Sequence, residues 1–158
     1  MTLYLDTSSL IKLYVSEAGA DLVRQLVDEA AVVATSVIAY AETRAALARL
    51  RREGELTASN FASAKREFEG QWPTFVTLET TDSLSRAAGE LAERYGLRGF
   101  DSVHVASFAE VARCAGTRET RFSSFDDRLN RAALALARTR ARGGAILVAA
   151  ARKTVSYV

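Results

Sequence analysis

The sequence predicts an α/β fold, a three-layer α/β/α domain built on a mainly parallel sheet of four to five strands. Three observations carry that prediction. Short apolar runs (TLYLD, AVVAT, FVTLE, AILVA) recur along the 158 residues, with helical composition between them. The runs are apolar throughout instead of alternating, as strands covered on both faces require. The intervening segments carry helix caps and glycine stops, so strands alternate with helices.

Residues 2–6 form the first expected strand, ending on Asp6. Helical composition follows over 8–14 and 20–29, with Gly19 as a break between them. The second strand is AVVAT, 31–35, after which Thr35 or Ser36 suits the N-cap of a helix reaching about Arg52 and stopped by Gly54. A further helix covers 58–69 and stops at Gly70, before Trp72 and Pro73. FVTLE, 75–79, is the third strand. Asp82 is the expected cap of a helix over 83–95, closed by Gly96, and the turn GLRGF leads into another from Asp101 to Arg113. Residues 120–124 make a fourth strand, 127–138 a last helix, and AILVA, 145–149, a fifth strand. Without repeats, low-complexity tracts or linkers, 1–158 reads as one domain with an arginine-rich C-terminal segment over 136–158.

Composition excludes several classes. At 49% hydrophobic and 25% charged residues, with a single proline, the chain is neither disordered nor fibrous. Cys114 is the only cysteine, so an internal disulfide and a cysteine zinc cluster are excluded, and a reducing compartment is expected. The opening MTLYLDTSSLIKLYV is interrupted by Asp6 and Lys12 and reads as neither a signal peptide nor a membrane span; a cytoplasmic protein is expected. One histidine excludes a ribonuclease with a two-histidine acid–base pair. The net charge of +2 is too small to mark a polyanion binder by itself. Arginines do cluster, at Arg44, Arg49, Arg51 and Arg52 and at Arg131, Arg138, Arg140, Arg142 and Arg152. They could grip phosphates or form solvated helix faces.

In a parallel sheet, chemistry gathers beyond the carboxyl ends of the strands. Asp6 ends the first strand, Asp126 follows the fourth, Asp101 opens a helix, and Glu42 lies two turns into the helix after the second strand. Each has a plain structural alternative: Asp101 and Asp126 as helix caps, Glu42 as a solvated helix residue. Glu42, however, sits among Val37, Ile38, Tyr40, Ala41, Ala45 and Ala46, so it interrupts a surface that reads as buried. A buried acid needs a partner, and the expected partners are the other acids, which repel unless a cation joins them. At least one should then hold its proton more tightly than usual. Clustered carboxylate oxygens select Mg²⁺ or Mn²⁺, and such a site suits phosphodiester hydrolysis.

Four segments together resemble the PIN-domain family, most closely its VapC-type toxins, over residues 2–135. LYLDTSSLIKLY is similar to the family's opening, with Asp6 at the strand end and Ser8 two positions on. SVIAYAETRAAL resembles its second motif, with Glu42 as the acid; RGFDSVHVASFA its third, with Asp101 and His104; and FSSFDDRLNRAA its fourth, with Ser124, Asp126 and Leu129. Asp126 is preferred to the adjoining Asp127 for its spacing to Leu129. The resemblance implies an RNA-cutting nuclease that uses Mg²⁺ or Mn²⁺. The metal would be held chiefly by Asp6 and Asp101, with Glu42 and Asp126 completing the cluster and Ser8 and Ser124 hydrogen-bonding the carboxylates or a metal water. It also implies a cognate antitoxin and a homodimer.

Two other families that open on a strand-end Asp fit less well. A haloacid-dehalogenase-type phosphatase needs a second acid where Ser8 stands, and a response-regulator receiver needs an early acidic pair and a late lysine. A PIN-like scaffold that binds RNA or protein without cutting would lack one or more of the four acids, and all four are present. His104 is expected to be a satisfied core histidine more than an orienting group. Cys114, Trp72, Tyr4, Phe100, Phe108, Phe122 and Phe125 are expected in the packing.

Overall fold

The computed structural model describes residues 1–116, 118–140 and 147–150. Five parallel strands lie in the order β3-β2-β1-β4-β5: β1 (Thr2–Leu5), β2 (Val32–Ser36), β3 (Val76–Leu78), β4 (Thr120–Ser124) and β5 (Leu147–Ala150). Among the described residues seven α-helices connect them: α1 (Thr7–Leu10, continued by a 3₁₀ turn Ile11–Leu13), α2 (Ala20–Asp28), α3 (Ile38–Arg52), α4 (Ala58–Gln71), α5 (Asp82–Tyr95), α6 (Gly99–Ala115) and α7 (Asp127–Arg140). The three-layer α/β/α architecture is therefore the one the apolar runs predict. Of the fifth expected strand, Ala145 and Ile146 lie outside the described residues, as do Arg142 and Arg152.

The central strand shows why its sequence is continuously apolar. Leu3, Tyr4 and Leu5 are all fully buried. Leu3 and Leu5 point into a cluster with Leu10, Val23, Leu47 and Phe68, from α1 to α4. Tyr4 points the other way, into a cluster with Leu91, Phe108, Phe122 and Leu129, from α5 to α7 and β4. Neighbouring side chains on a strand face opposite sides, so a strand with a helical layer on each side has no polar face. Burying each such side chain contributes roughly 1.5–3 kcal/mol.

The topology places the site. From β1 the chain steps outward to β2 and β3 through helices on one face, then returns to β4 on the far side of β1 with α5 to α7 on the other face. The direction of winding reverses between β1 and β4, which opens a crevice at their carboxyl ends. Asp6 and Asp126 stand there.

Several local expectations need correction. Helix α5 is capped by Thr81, whose side chain accepts from the Leu84 N–H, and Asp82 is its first residue. Helix α3 takes neither Thr35 nor Ser36 as cap; its N-cap is Val37, without a side-chain bond. Thr35 instead donates to the Leu5 carbonyl at 2.7 Å, tying β2 to β1, and is buried there. Helix α6 begins at Gly99, ahead of the expected start at Asp101. Asp101 lies within its first turn, and Arg98 is its N-cap.

Candidate active site

A cavity of about 800 Å³ opens at the β1–β4 crevice, and Asp6, Glu42, Asp101 and Asp126 all line it. Four acids from separated stretches of chain thus share one space, which also receives Ser8, Lys12, Arg49, His104 and Phe125. Asp127 is exposed and not among the lining residues, so Asp126 is the acid of that pair that faces the cavity.

Asp6 is the most firmly held. One carboxylate oxygen, Oδ1, accepts the Ser9 N–H at 2.9 Å, which caps α1. The Ser8 hydroxyl lies 2.8 and 2.9 Å from the two oxygens, and Ser124 donates to Oδ2 at 2.7 Å. The same two hydroxyls reach onward: Ser8 Oγ accepts the Phe125 N–H at 2.7 Å and Ser124 Oγ the Asp126 N–H at 3.0 Å. The end of β1 is thereby tied to the loop after β4. Burial nonetheless pushes the Asp6 carboxyl above its ordinary range, more than His104 and these donors pull it down.

Asp126 caps α7, its Oδ1 accepting from the backbone of Arg128 at 2.7 Å and of Leu129 at 3.3 Å. Both alternatives read from the sequence therefore apply to it at once: it is a cap and it faces the cavity. Asp101 faces the same cavity from the first turn of α6, three residues after the N-cap Arg98. Its carboxyl is raised by burial and next by the charge of Asp126, against the pull of Arg128 and Arg98.

Glu42 departs from expectation. Its partners are not acids but His104 and Thr7. His104 Nε2 lies 2.9 Å from Oε2, and Thr7 donates its hydroxyl to the same oxygen. Burial would raise this carboxyl, but the bonds from His104 and Thr7 and the attraction of His104 together hold it below the usual carboxylate range. Thr7, between Asp6 and Ser8, is a site residue that sequence reasoning misses, because no motif distinguishes it. His104 is buried at 3% exposure, as a core histidine would be, yet it is bonded to an acid that lines the cavity.

Other residues settle differently. Tyr4, Phe108 and Phe122 are core, Phe125 is half-buried at the cavity wall, and Trp72 packs with Phe68 and Phe75. Phe100 is 62% exposed and Cys114 is exposed, so neither belongs to the packing; both sit at ends of α6, where the helix leaves the core. Of the first arginine group, Arg44 is engaged by Tyr40 and Glu69, whereas Arg49 lines the cavity. Gly19, at φ 89°, has the Phe125 ring where a Cβ would stand 2.4 Å away, so a side chain there would push the cavity wall.

The family model of the PIN domain matches residues 3–135. The chain belongs to the PIN-domain family. This PIN domain is 40% identical over 108 residues to Ribonuclease VapC45 of Mycobacterium tuberculosis (strain CDC 1551 / Oshkosh) and equally to Ribonuclease VapC49 of strain ATCC 25618 / H37Rv, covering 68% of the chain and 75% of each relative. Among solved structures, VapC20 of Mycobacterium tuberculosis, a toxin described as cleaving the sarcin–ricin loop, matches with TM-score 0.60 at 21% identity, over 82% of this chain and 94% of that one. PAE2754 of Pyrobaculum aerophilum matches with TM-score 0.57 at 22% identity, over 84% of each chain. At those identities the structures speak for the fold.

Proposed function

We propose that this PIN domain is a metal-dependent endoribonuclease, the toxin of a VapBC-type toxin–antitoxin pair acting in the cytoplasm. The observation that carries the reading is the convergence of Asp6, Glu42, Asp101 and Asp126 on one cavity at the winding reversal of the sheet. The kinship with two VapC ribonucleases supports the same reaction and an RNA substrate.

The donor set fits Mg²⁺ or Mn²⁺. All four candidates offer hard carboxylate oxygens, and two of them, Asp6 and Asp101, carry carboxyls that the fold makes costly to ionise. A cation relieves that cost. Among the described residues no three acid or histidine side chains form a ready cage. Mg²⁺ does not require one, because it keeps several waters and is commonly bound through one or two carboxylates. Asp6 and Asp101 would hold it, and when bound it would neutralise phosphate charge and make water more acidic.

The chain's own residues supply the rest. Ser8 and Ser124 keep the Asp6 carboxylate in one orientation, which a ligand site needs. Glu42, ionised at neutral pH, is the acceptor available for the proton of the attacking water. The water oxygen then bonds to phosphorus as the bond to the leaving ribose oxygen breaks; that oxygen takes a proton from solvent, and Glu42 releases its own to solvent. Arg49 at the cavity wall, with Arg98 and Arg128 beside Asp101, would hold RNA phosphates. The partners of this reading are the RNA, a second copy of the chain, and a cognate antitoxin. An arginine on the antitoxin's tail could span two of the cavity's carboxylates and block the site.

The test is cleavage of RNA by the purified chain. Activity should require Mg²⁺ or Mn²⁺, stop with a chelator, and vanish in Asp6→Asn with the fold intact by circular dichroism. Full activity in Asp6→Asn would overturn the assignment, and RNA binding without any cleavage by the wild type would favour the non-cutting scaffold.

A further inference from the structure

The geometry points to His104 as the residue that positions Glu42, with Tyr4 fixing the imidazole; the inference deepens the ribonuclease reading and rests on it. A glutamate on a helix has three rotatable bonds, and nothing in its own backbone aims the carboxylate. Here the aim comes from across the cavity. Tyr4, on the central strand, is fully buried, stacks on Phe122 with ring centroids 5.8 Å apart, and meets Phe108 at 6.1 Å. Its hydroxyl lies 3.0 Å from His104 Nδ1, and the two rings meet edge to face. His104 in turn reaches Glu42 through Nε2 at 2.9 Å.

The direction of these bonds follows from chemistry. A carboxylate oxygen only accepts, so Nε2 carries the hydrogen in either charge state of the ring. In the neutral ring Nδ1 is then the acceptor, and the Tyr4 phenol donates to it. A phenol is protonated at neutral pH, so it has the hydrogen to give. A rigid core aromatic therefore selects the tautomer and rotation of His104 that present a donor to Glu42. This is the orienting logic of a base held by a third group.

The bonds are also one-sided. His104 and Thr7 both engage Oε2 of Glu42. Among the described residues no hydrogen bond engages Oε1. Tethering a carboxylate by one oxygen leaves the other, with its lone pairs, toward the cavity and a substrate water. His104 is thus a positioning residue, and its effect should appear in turnover and not in RNA affinity.

The experiment uses the full chain and an oligoribonucleotide spanning a site that the wild type cuts in total RNA. A misplacement of about 1 Å at a reacting group can cost roughly 100-fold, so His104→Leu should lower kcat by about that factor with KM nearly unchanged. His104→Gln, which restores a donor near the Nε2 position, should recover much of the loss. Tyr4→Phe keeps the core shape and should lower kcat by a smaller factor. In a Glu42→Gln background neither His104→Gln nor Tyr4→Phe should cost anything further. Urea denaturation of the metal-free single and double variants gives a readout without RNA, in which Glu42→Ala and His104→Gln should be non-additive. The inference is overturned if folded Tyr4→Phe and His104→Gln both turn over at the wild-type rate. It also falls if the His104 substitutions cost as much with Glu42→Gln as without it. If the wild type cuts no RNA, the ribonuclease reading fails, and additivity in urea would then reject the Glu42–His104 coupling separately.

Discussion

Glu42 and Asp101 line the same cavity, yet their carboxyls shift in opposite directions. Both feel burial, which disfavours the charge. Glu42 is rescued by two side-chain donors on one oxygen, while Asp101 faces the like charge of Asp126 with only partial relief from Arg98 and Arg128. One acid is satisfied by its donors, and the other keeps a repulsion that its arginines do not cancel. The difference shows that an acidic cavity is not a uniform cluster. Its members differ in their partners, and it is the partners, not proximity, that set each carboxyl.

The sharpest test of that division is catalytic. Asp101→Asn removes a charge proposed to hold the metal without changing shape, and cleavage should fall by roughly three orders of magnitude or more, since a metal supplies several kcal/mol of transition-state stabilisation. Added Mg²⁺ should raise the melting temperature of the wild type by an amount equivalent to about 2.7 kcal/mol at a hundred times its Kd, and should barely move Asp101→Asn. Calorimetry showing equal Mg²⁺ stabilisation of both would place the cation elsewhere and dissolve the contrast.

Much of this is legible in the sequence, for physical reasons. Strands buried on both faces must be apolar throughout, so β1 declares itself, and with it the crevice where Asp6 stands. The four acids stand out because each follows a strand or begins or interrupts a helix. What cannot be read is pairing across the cavity. Nothing local in SVHVA says that His104 turns toward Glu42, a residue carried by another helix. The cap of α5 lies one residue before Asp82 because Thr81 and Asp82 are both good caps and adjacent, and composition does not choose between them. Phe100 reads as core by type, but it lies in the first turn of α6, before that helix reaches the sheet.

Stability offers the next test. Glu42→Ala removes the charged acceptor that His104 Nε2–H and the Thr7 hydroxyl share, leaving Nε2 only Thr7 Oγ1 at 3.1 Å, and losing a hydrogen bond to a charged group costs about 1.5–3 kcal/mol. Urea denaturation at neutral pH, without metal, should show a loss of that size. A neutral or stabilising result would mean that Glu42 is a repelled member of the cluster after all, like Asp101.

The smallest effect, and the one that opposes the two acids most directly, is their dependence on pH in the metal-free chain. The Asp101 carboxyl is raised on folding, so the folded state binds its proton more tightly than the unfolded chain does. Above its folded value the charged form costs stability; as pH falls below the unfolded value, where both states are protonated, the cost disappears. Asp101→Asn should therefore melt slightly higher than wild type at neutral pH, with the gain fading on acidification. Glu42 is lowered on folding, so its contribution is stabilising above its unfolded value and is lost as pH falls through the folded one. The deficit of Glu42→Ala should accordingly shrink in acid. Both differences fade toward low pH, but from opposite sides of the wild type: one variant descends to it and the other rises. Melting curves recorded from neutral to acid pH separate the two cases, and two variants approaching the wild type from the same side would show that one cavity environment governs both acids.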